Sequence, residues 1–163
     1  MKNYQHSLTM AAPPAAVYAA LTTTAGLRGW WTEDCEGNPD AGGTIEFRFG
    51  ATYKDMRVER LVPGREVRWL CTRAGIAADA LTRKDEWVGT ELVFLMREDG
   101  QGRSRLDFEH VGLVPSLECY DLCYQGWQQF MGSLRDYLDT GAGAPFMPTS
   151  ASCNASTARS QAA

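Results

Sequence analysis

The residues of this chain best suited to chemistry are one histidine and a large set of aromatic side chains. His110 closes the run Arg105-Leu106-Asp107-Phe108-Glu109-His110, where Leu106, Phe108 and His110 share one face and Asp107 and Glu109 the other. A histidine turned inward by that alternation could serve as a general base or hold a ligand by hydrogen bonds. The plainer role is a histidine satisfied by a backbone carbonyl or by a hydroxyl such as that of Tyr120. Trp30, Trp69, Trp87 and Trp127, with Phe47, Phe49, Phe94, Phe108 and Tyr120, offer more aromatic surface than a domain of this size needs. Aromatic walls suit a planar or lipid-like ligand, through stacking and area burial; a plain aromatic core is the alternative. Alternation from Thr90, Leu92 and Phe94 sets Trp87 on the opposite face, unless Gly89 marks a bulge. Glu86 shares parity with Val88 and Thr90, and is either a second polar group for the interior or a solvated strand end.

Other chemistries find little support. Five cysteines (Cys35, Cys71, Cys119, Cys123, Cys153) make an odd set without CxxC spacing, which fits reduced thiols better than a disulfide framework. Cys119 and Cys123 stand one helical turn apart and could share a metal, but with two histidines in the chain they read as small apolar packing. No metal and no cofactor is expected. There is no Gly-x-Ser-x-Gly elbow, phosphate loop or HExxH motif on which a hydrolase, kinase or zinc-protease reading could rest.

These residues need elements to position them. Residues 4 to 10 alternate and read as a strand; Ala12-Pro13-Pro14 opens a helix through Val17 and Leu21, and Leu27 to Trp31 looks like a second short helical turn. Ile45, Phe47 and Phe49 share a face of the next strand. Met56 to Val62 pairs through the turn Val62-Pro63-Gly64-Arg65 with a strand carrying Val67, Trp69 and Cys71. Glu86 to Met96 reads as a long strand, turning at Asp99 to Gly102 into the His110 strand. Ser116 is expected to cap a long helix whose apolar stripe runs through Tyr120, Cys123, Trp127 and Leu134 to Leu138. Strands followed by one amphipathic helix indicate an α+β layer structure with the helix across the sheet, and a curved sheet around one helix tends to enclose a cavity.

Composition bounds the rest. One hundred and sixty-three residues, 44% hydrophobic and 22% charged, suit one folded domain. A net charge of −4 with scattered basic residues makes nucleic acid an unsuited partner. No run is long and apolar enough for a membrane span or a secretion signal, so the expected address is cytoplasmic and the Asn154-Ala155-Ser156 sequon carries no weight. Residues 142–163, dominated by Ala, Ser, Thr, Gly and Pro, are expected to form a flexible tail after a domain of residues 1–141.

Several of these residues together resemble a known superfamily. Ala12-Pro13-Pro14, Gly26-Leu27 with Trp30-Trp31, Gly42-Gly43, Glu59 with Pro63, Trp69, Gly89-Thr90, Phe108-Glu109-His110 with Gly112-Leu113, and Gly126-Trp127 before Ser133-Leu134 are similar to the START-like or SRPBCC proteins. The branch is that of the homologues of the heat-shock protein 90 ATPase activator, over about residues 4–141. That resemblance implies a helix-grip fold, with about six antiparallel strands curved around a long C-terminal helix and two short helices after the first strand. It implies no catalytic motif.

The first reading is therefore a protein that binds or sequesters a small apolar, aromatic or lipid-like molecule. Its expected contacts are Trp30, Phe47, Trp69, Thr90, Phe94, Phe108, His110, Tyr120, Cys123 and Trp127, as monomer or homodimer. The second is a cyclase or aromatase in which His110 moves protons. The third is an interaction module for a chaperone partner.

Overall fold

The computed structural model describes residues 2–148; Cys153 and Asn154 lie outside them. The chain runs β1 (Tyr4–Met10), α1 (Pro14–Thr22), α2 (Thr24–Trp30), β2 (Cys35–Gly37), β3 (Thr44–Phe49), β4 (Thr52–Val62), β5 (Glu66–Gly75), β6 (Glu91–Glu98), β7 (Ser104–Val111) and α3 (Tyr120–Thr140). The strands form one curved antiparallel sheet in the order β1-β7-β6-β5-β4-β3-β2, with α3 packed across its inner face: the expected helix grip. The sheet has seven strands instead of about six, because the three-residue β2 pairs with β3 and is too short to show periodicity.

Alternation decides which side chains enter. Leu106, Phe108 and His110 on β7, Val67, Trp69 and Cys71 on β5, and Ile45, Phe47 and Phe49 on β3 are all buried, as the period of two requires when only one face meets the helix. α3 buries Cys123, Gly126, Trp127, Phe130, Met131 and Leu134 along one stripe. Close approach explains Gly26, where a Cβ would stand 2.7 Å from the Ala20 Cα and force α1 and α2 apart.

Three local readings differ from what the chain adopts. Residues 86–89 form a turn and not the start of a strand: Gly89, at φ +89°, closes it, and the turn swings Trp87 inward until it is fully buried. α3 begins at Tyr120, not at Ser116, because the free amides of Glu118 and Cys119 are taken by the Glu86 carboxylate at 3.3 and 2.9 Å. Glu86 is thus neither a cavity group nor a solvated strand end.

The stretch after Gly141, expected to be flexible from residue 142, is anchored at Phe146, while Ala142, Ala144, Met147 and Pro148 are exposed. Phe146 is buried against Phe49, its N–H donates to the Trp31 carbonyl, and its carbonyl accepts from the Glu33 N–H. Ser133 adds a clasp: its hydroxyl donates to the Trp30 carbonyl at 2.7 Å and accepts from the Ala144 N–H at 2.7 Å.

Candidate functional site

Period-two and helical spacing bring the aromatic residues of α2, β3, β5, β6, β7 and α3 into one layer between sheet and α3. Trp31 lies at its centre, stacked on Trp30 (ring centroids 5.6 Å apart), Trp69 (6.2 Å) and Trp127 (5.4 Å), with Phe47 at 4.4 Å. Trp127 also stacks on Trp87 and meets Phe108 at 4.5 Å, and Phe94 bridges Trp69 and Phe108. The side chains expected to line a cavity therefore touch one another, and their rings occupy the space that curvature leaves beneath α3. Offset and edge-on contacts of this kind contribute about 0.5–1.5 kcal/mol per pair beyond area burial.

His110 is fully buried within this layer. Its Nδ1 accepts the indole N–H of Trp127 at 3.0 Å, and its Nε2 lies 2.8 Å from the Thr90 hydroxyl. The Thr90 hydroxyl is itself committed as donor to the Trp87 carbonyl at 2.6 Å, so it accepts from His110. That chain defines a neutral ring protonated on Nε2. Burial, followed by the charge of Lys54, holds the ring's pKa well below the usual histidine range. The expected Tyr120 partner is replaced: Tyr120 sits half-buried at the start of α3, against Tyr124, and Thr90 and Trp127 make the bonds.

Sequence reasoning missed Lys54. On β4 the buried positions alternate through Thr52, Lys54, Met56 and Val58, so Lys54 points toward α3 and is completely buried. Its ammonium stands 3.9 Å from the Trp87 ring centre and 4.8 Å from that of Phe49, an arrangement that lets ring faces stabilise a cation. Burial draws its pKa down to about 8. Alternation through Met56 and Val58 already indicates the inward face; residue type argues against it, since lysine is rarely buried.

Thiols flank the ammonium. Cys123 accepts the Trp87 indole N–H at 3.1 Å and is drawn toward thiolate by the Cys119 thiol, with Lys54 contributing, while Cys119 is held in its thiol form and burial pushes Cys71 up to about 12. Among the described residues no group of three or more His, Cys, Asp or Glu could hold a metal ion.

Trp31 is missing from the expected contacts although it sits in the Trp30-Trp31 pair. Its indole N–H is buried and meets no acceptor among the described residues, whereas Trp30 donates to the Ala20 carbonyl, Trp87 to Cys123 and Trp127 to His110. A buried unsatisfied donor costs about 1–3 kcal/mol. The Trp31 ring is thus held by packing among the described residues, while its backbone is bonded to Leu27 and Phe146.

The segment from Ile76 to Gly89 covers one end of this layer. Glu118 ties it down by accepting from the Thr82 and Arg83 amides at 2.9 and 2.8 Å, and Glu86 adds its bonds to the turn before α3. Beside it a depression of about 410 Å³ opens at the ends of β4 and β5, bordered by Tyr53, Ala74, Ile76, Thr82 and Lys84.

A family model described as Activator of Hsp90 ATPase homolog 1-like protein matches residues 11–139. Among solved structures, the solution structure of the Aha1 dimer from Colwellia psychrerythraea is similar at a TM-score of 0.72 and 33% sequence identity, covering 88% of this chain and 100% of that one. A Mesorhizobium loti protein, MLL2253, gives 0.64 at 19% identity over 83% and 96%. CalU16 from Micromonospora echinospora gives 0.62 at 18% over 86% and 75%, so both attest the fold alone. No curated protein matches the chain.

Proposed function

Because the chain belongs to the Activator of Hsp90 ATPase homolog 1-like family of START-like proteins, we propose that it binds a small apolar or aromatic molecule between the sheet and α3. The observation that carries this reading is Trp31: a fully buried indole in the middle of an aromatic layer, whose ring N–H meets no acceptor among the described residues. A ring so placed can be displaced at the cost of packing alone, and an incoming molecule with an acceptor would stack on the same neighbours and satisfy a donor that is otherwise orphaned. The expected contacts Trp30, Phe47, Trp69, Phe94, Phe108 and Trp127 surround it; Thr90, His110 and Cys123 lie at its polar border, and Tyr120 is peripheral. Residues 1–141, with the Phe146 anchor beyond them, form the binding domain in this reading.

His110 weighs against the cyclase alternative, since both ring nitrogens are spent on internal bonds and its pKa is depressed. The dimeric Colwellia relative supports homodimerisation of this chain. Among the described residues no helix is long and apolar enough to cross a membrane.

The test is a fluorescence titration with N-phenyl-1-naphthylamine, a neutral aromatic probe. Saturable binding that quenches tryptophan emission, weakened in Trp31→Phe, is the expected result; absence of saturable binding overturns the proposal.

A further inference from the structure

The outer face of the sheet, turned away from α3, carries an exposed aliphatic side chain at its middle. Leu95 on β6 is 46% exposed, and by alternation it points opposite to the buried Phe94 and Met96. It stands as a ridge between two depressions. One, of about 250 Å³, lies toward β7 and β1 and is bordered by Val93, Asp107, Glu109, Gln5 and Ser7. The other, of about 390 Å³, lies toward the β4–β5 turn and is bordered by Arg60, Val62, Arg65 and Glu66. The first has an acidic rim, and the far rim of the second is basic.

Strand register makes this polarity regular. From β1 to β4 the row through Val93 runs Gln5, Glu109, Val93, Arg68, Arg60, and the row through Leu95 runs Ser7, Asp107, Leu95, Glu66, Val62. A two-fold axis lying in this face along β6 exchanges the two ends of each row without shifting it along the strands. Arg60 and Arg68 of one copy then meet Gln5 and Glu109 of the other, and the two Leu95 side chains meet at the axis. Glu66 falls opposite Asp107, but each is already ion-paired within its own chain, Glu66 with Arg60 and Arg68, and Asp107 with Arg105. An isologous contact needs a surface complementary to itself, and this face has that property. The same axis keeps the strands of the two sheets aligned, as in one of the two common ways for sheets to stack.

Resting on the homodimer reading above, and independent of the ligand reading, we infer that two copies of this chain dock through the outer face of β4, β5, β6, β7 and β1. Leu95 packs on Leu95 at the centre, and Arg60 with Glu109 forms a charge pair made twice. Arg60 holds Glu66 through Nε, and its side chain is 62% exposed, so the outer guanidinium nitrogens reach the partner. The apolar centre is small and the charges lie at its rim, which makes the dimer reversible and weakened by salt.

The experiment is sedimentation velocity on the full chain over a range of concentrations, in low and in high salt. The parent should pass from monomer to dimer as concentration rises. Leu95→Arg should raise the dissociation constant at least about 10-fold, as loss of a central contact does. Arg60→Glu and Glu109→Arg should each weaken the dimer by setting like charges face to face, and the double variant should recover affinity because both pairs are restored in reverse. Tyr124→Arg, on the exposed side of α3, should leave the dimer unchanged. A parent that stays monomeric overturns both this interface and the homodimer reading. A dimer that survives Leu95→Arg, or that Tyr124→Arg dissociates as strongly, overturns the interface and leaves the homodimer reading standing. A double variant no tighter than the single ones overturns the two-fold arrangement. Should circular dichroism show Leu95→Arg unfolded, the charge-reversal set decides by the same criterion.

Discussion

The indole N–H of Trp127, in the middle of α3, donates to Nδ1 of His110 at the end of β7 across 3.0 Å. This bond joins helix to sheet at the centre of the interior, and it requires His110 to be neutral, since a protonated ring has no acceptor to offer.

Stability should therefore fall as the solution is acidified through the histidine range. The folded pKa of His110 is depressed by burial, so between that value and the unfolded value near 6.5 the unfolded chain binds the extra proton; the stabilisation is complete above pH 6.5 and is lost as pH drops below it. Urea melts between pH 7 and pH 5 should show a loss approaching about 1.4 kcal/mol per pH unit from this residue. His110→Gln, which can still accept from Trp127 and donate to Thr90, should flatten the slope. A smaller slope remains from His6, whose pKa is lowered too by burial. An unchanged slope would show that His110 is not the group being protonated.

Trp31 and Trp127 are both fully buried, yet their replacement by phenylalanine should differ. Trp127→Phe creates a void and leaves the His110 Nδ1 without its donor, whereas Trp31→Phe creates a void and removes a donor that meets no acceptor among the described residues. The second should be milder by about 1–3 kcal/mol in chemical denaturation, the cost of one buried unsatisfied group. Equal losses would mean that the Trp31 N–H is satisfied in solution.

Phe146 should matter to stability although it lies beyond α3. Its ring packs on Phe49 and its backbone is bonded to both Trp31 and Glu33, so Phe146→Ala should cost about 3–5 kcal/mol. A chain ending at Gly141 should lose at least as much. A shortened chain as stable as the parent in urea would show that the segment only rests on the surface.

Much of this architecture is legible in the amino-acid order. Alternation at Ile45-Phe47-Phe49, Val67-Trp69-Cys71 and Leu106-Phe108-His110 names the buried face of three strands, and the α3 stripe names the helix face that covers them. Both are local signals, because a strand or helix half-exposed to water repeats its polarity with its own period. The same logic places His110 inside but cannot supply its partners. Thr90 and Trp127 lie 20 and 17 residues away, brought to it by the β6–β7 register and the docking of α3.

What only the tertiary structure decided is what the buried side chains touch. Glu86 caps a helix 33 residues further along, the 86–89 turn rotates Trp87 onto Lys54, and Phe146 fills a place beside Phe49 that composition alone assigned to a loose tail. Lys54 shows the division most clearly. Its period pointed inward while its charge pointed to water, and the outcome turned on whether distant elements could surround an ammonium with ring faces and thiols. Local pattern selects a face; the environment that face meets is a long-range property, fixed when sheet, turn and helix close on one another.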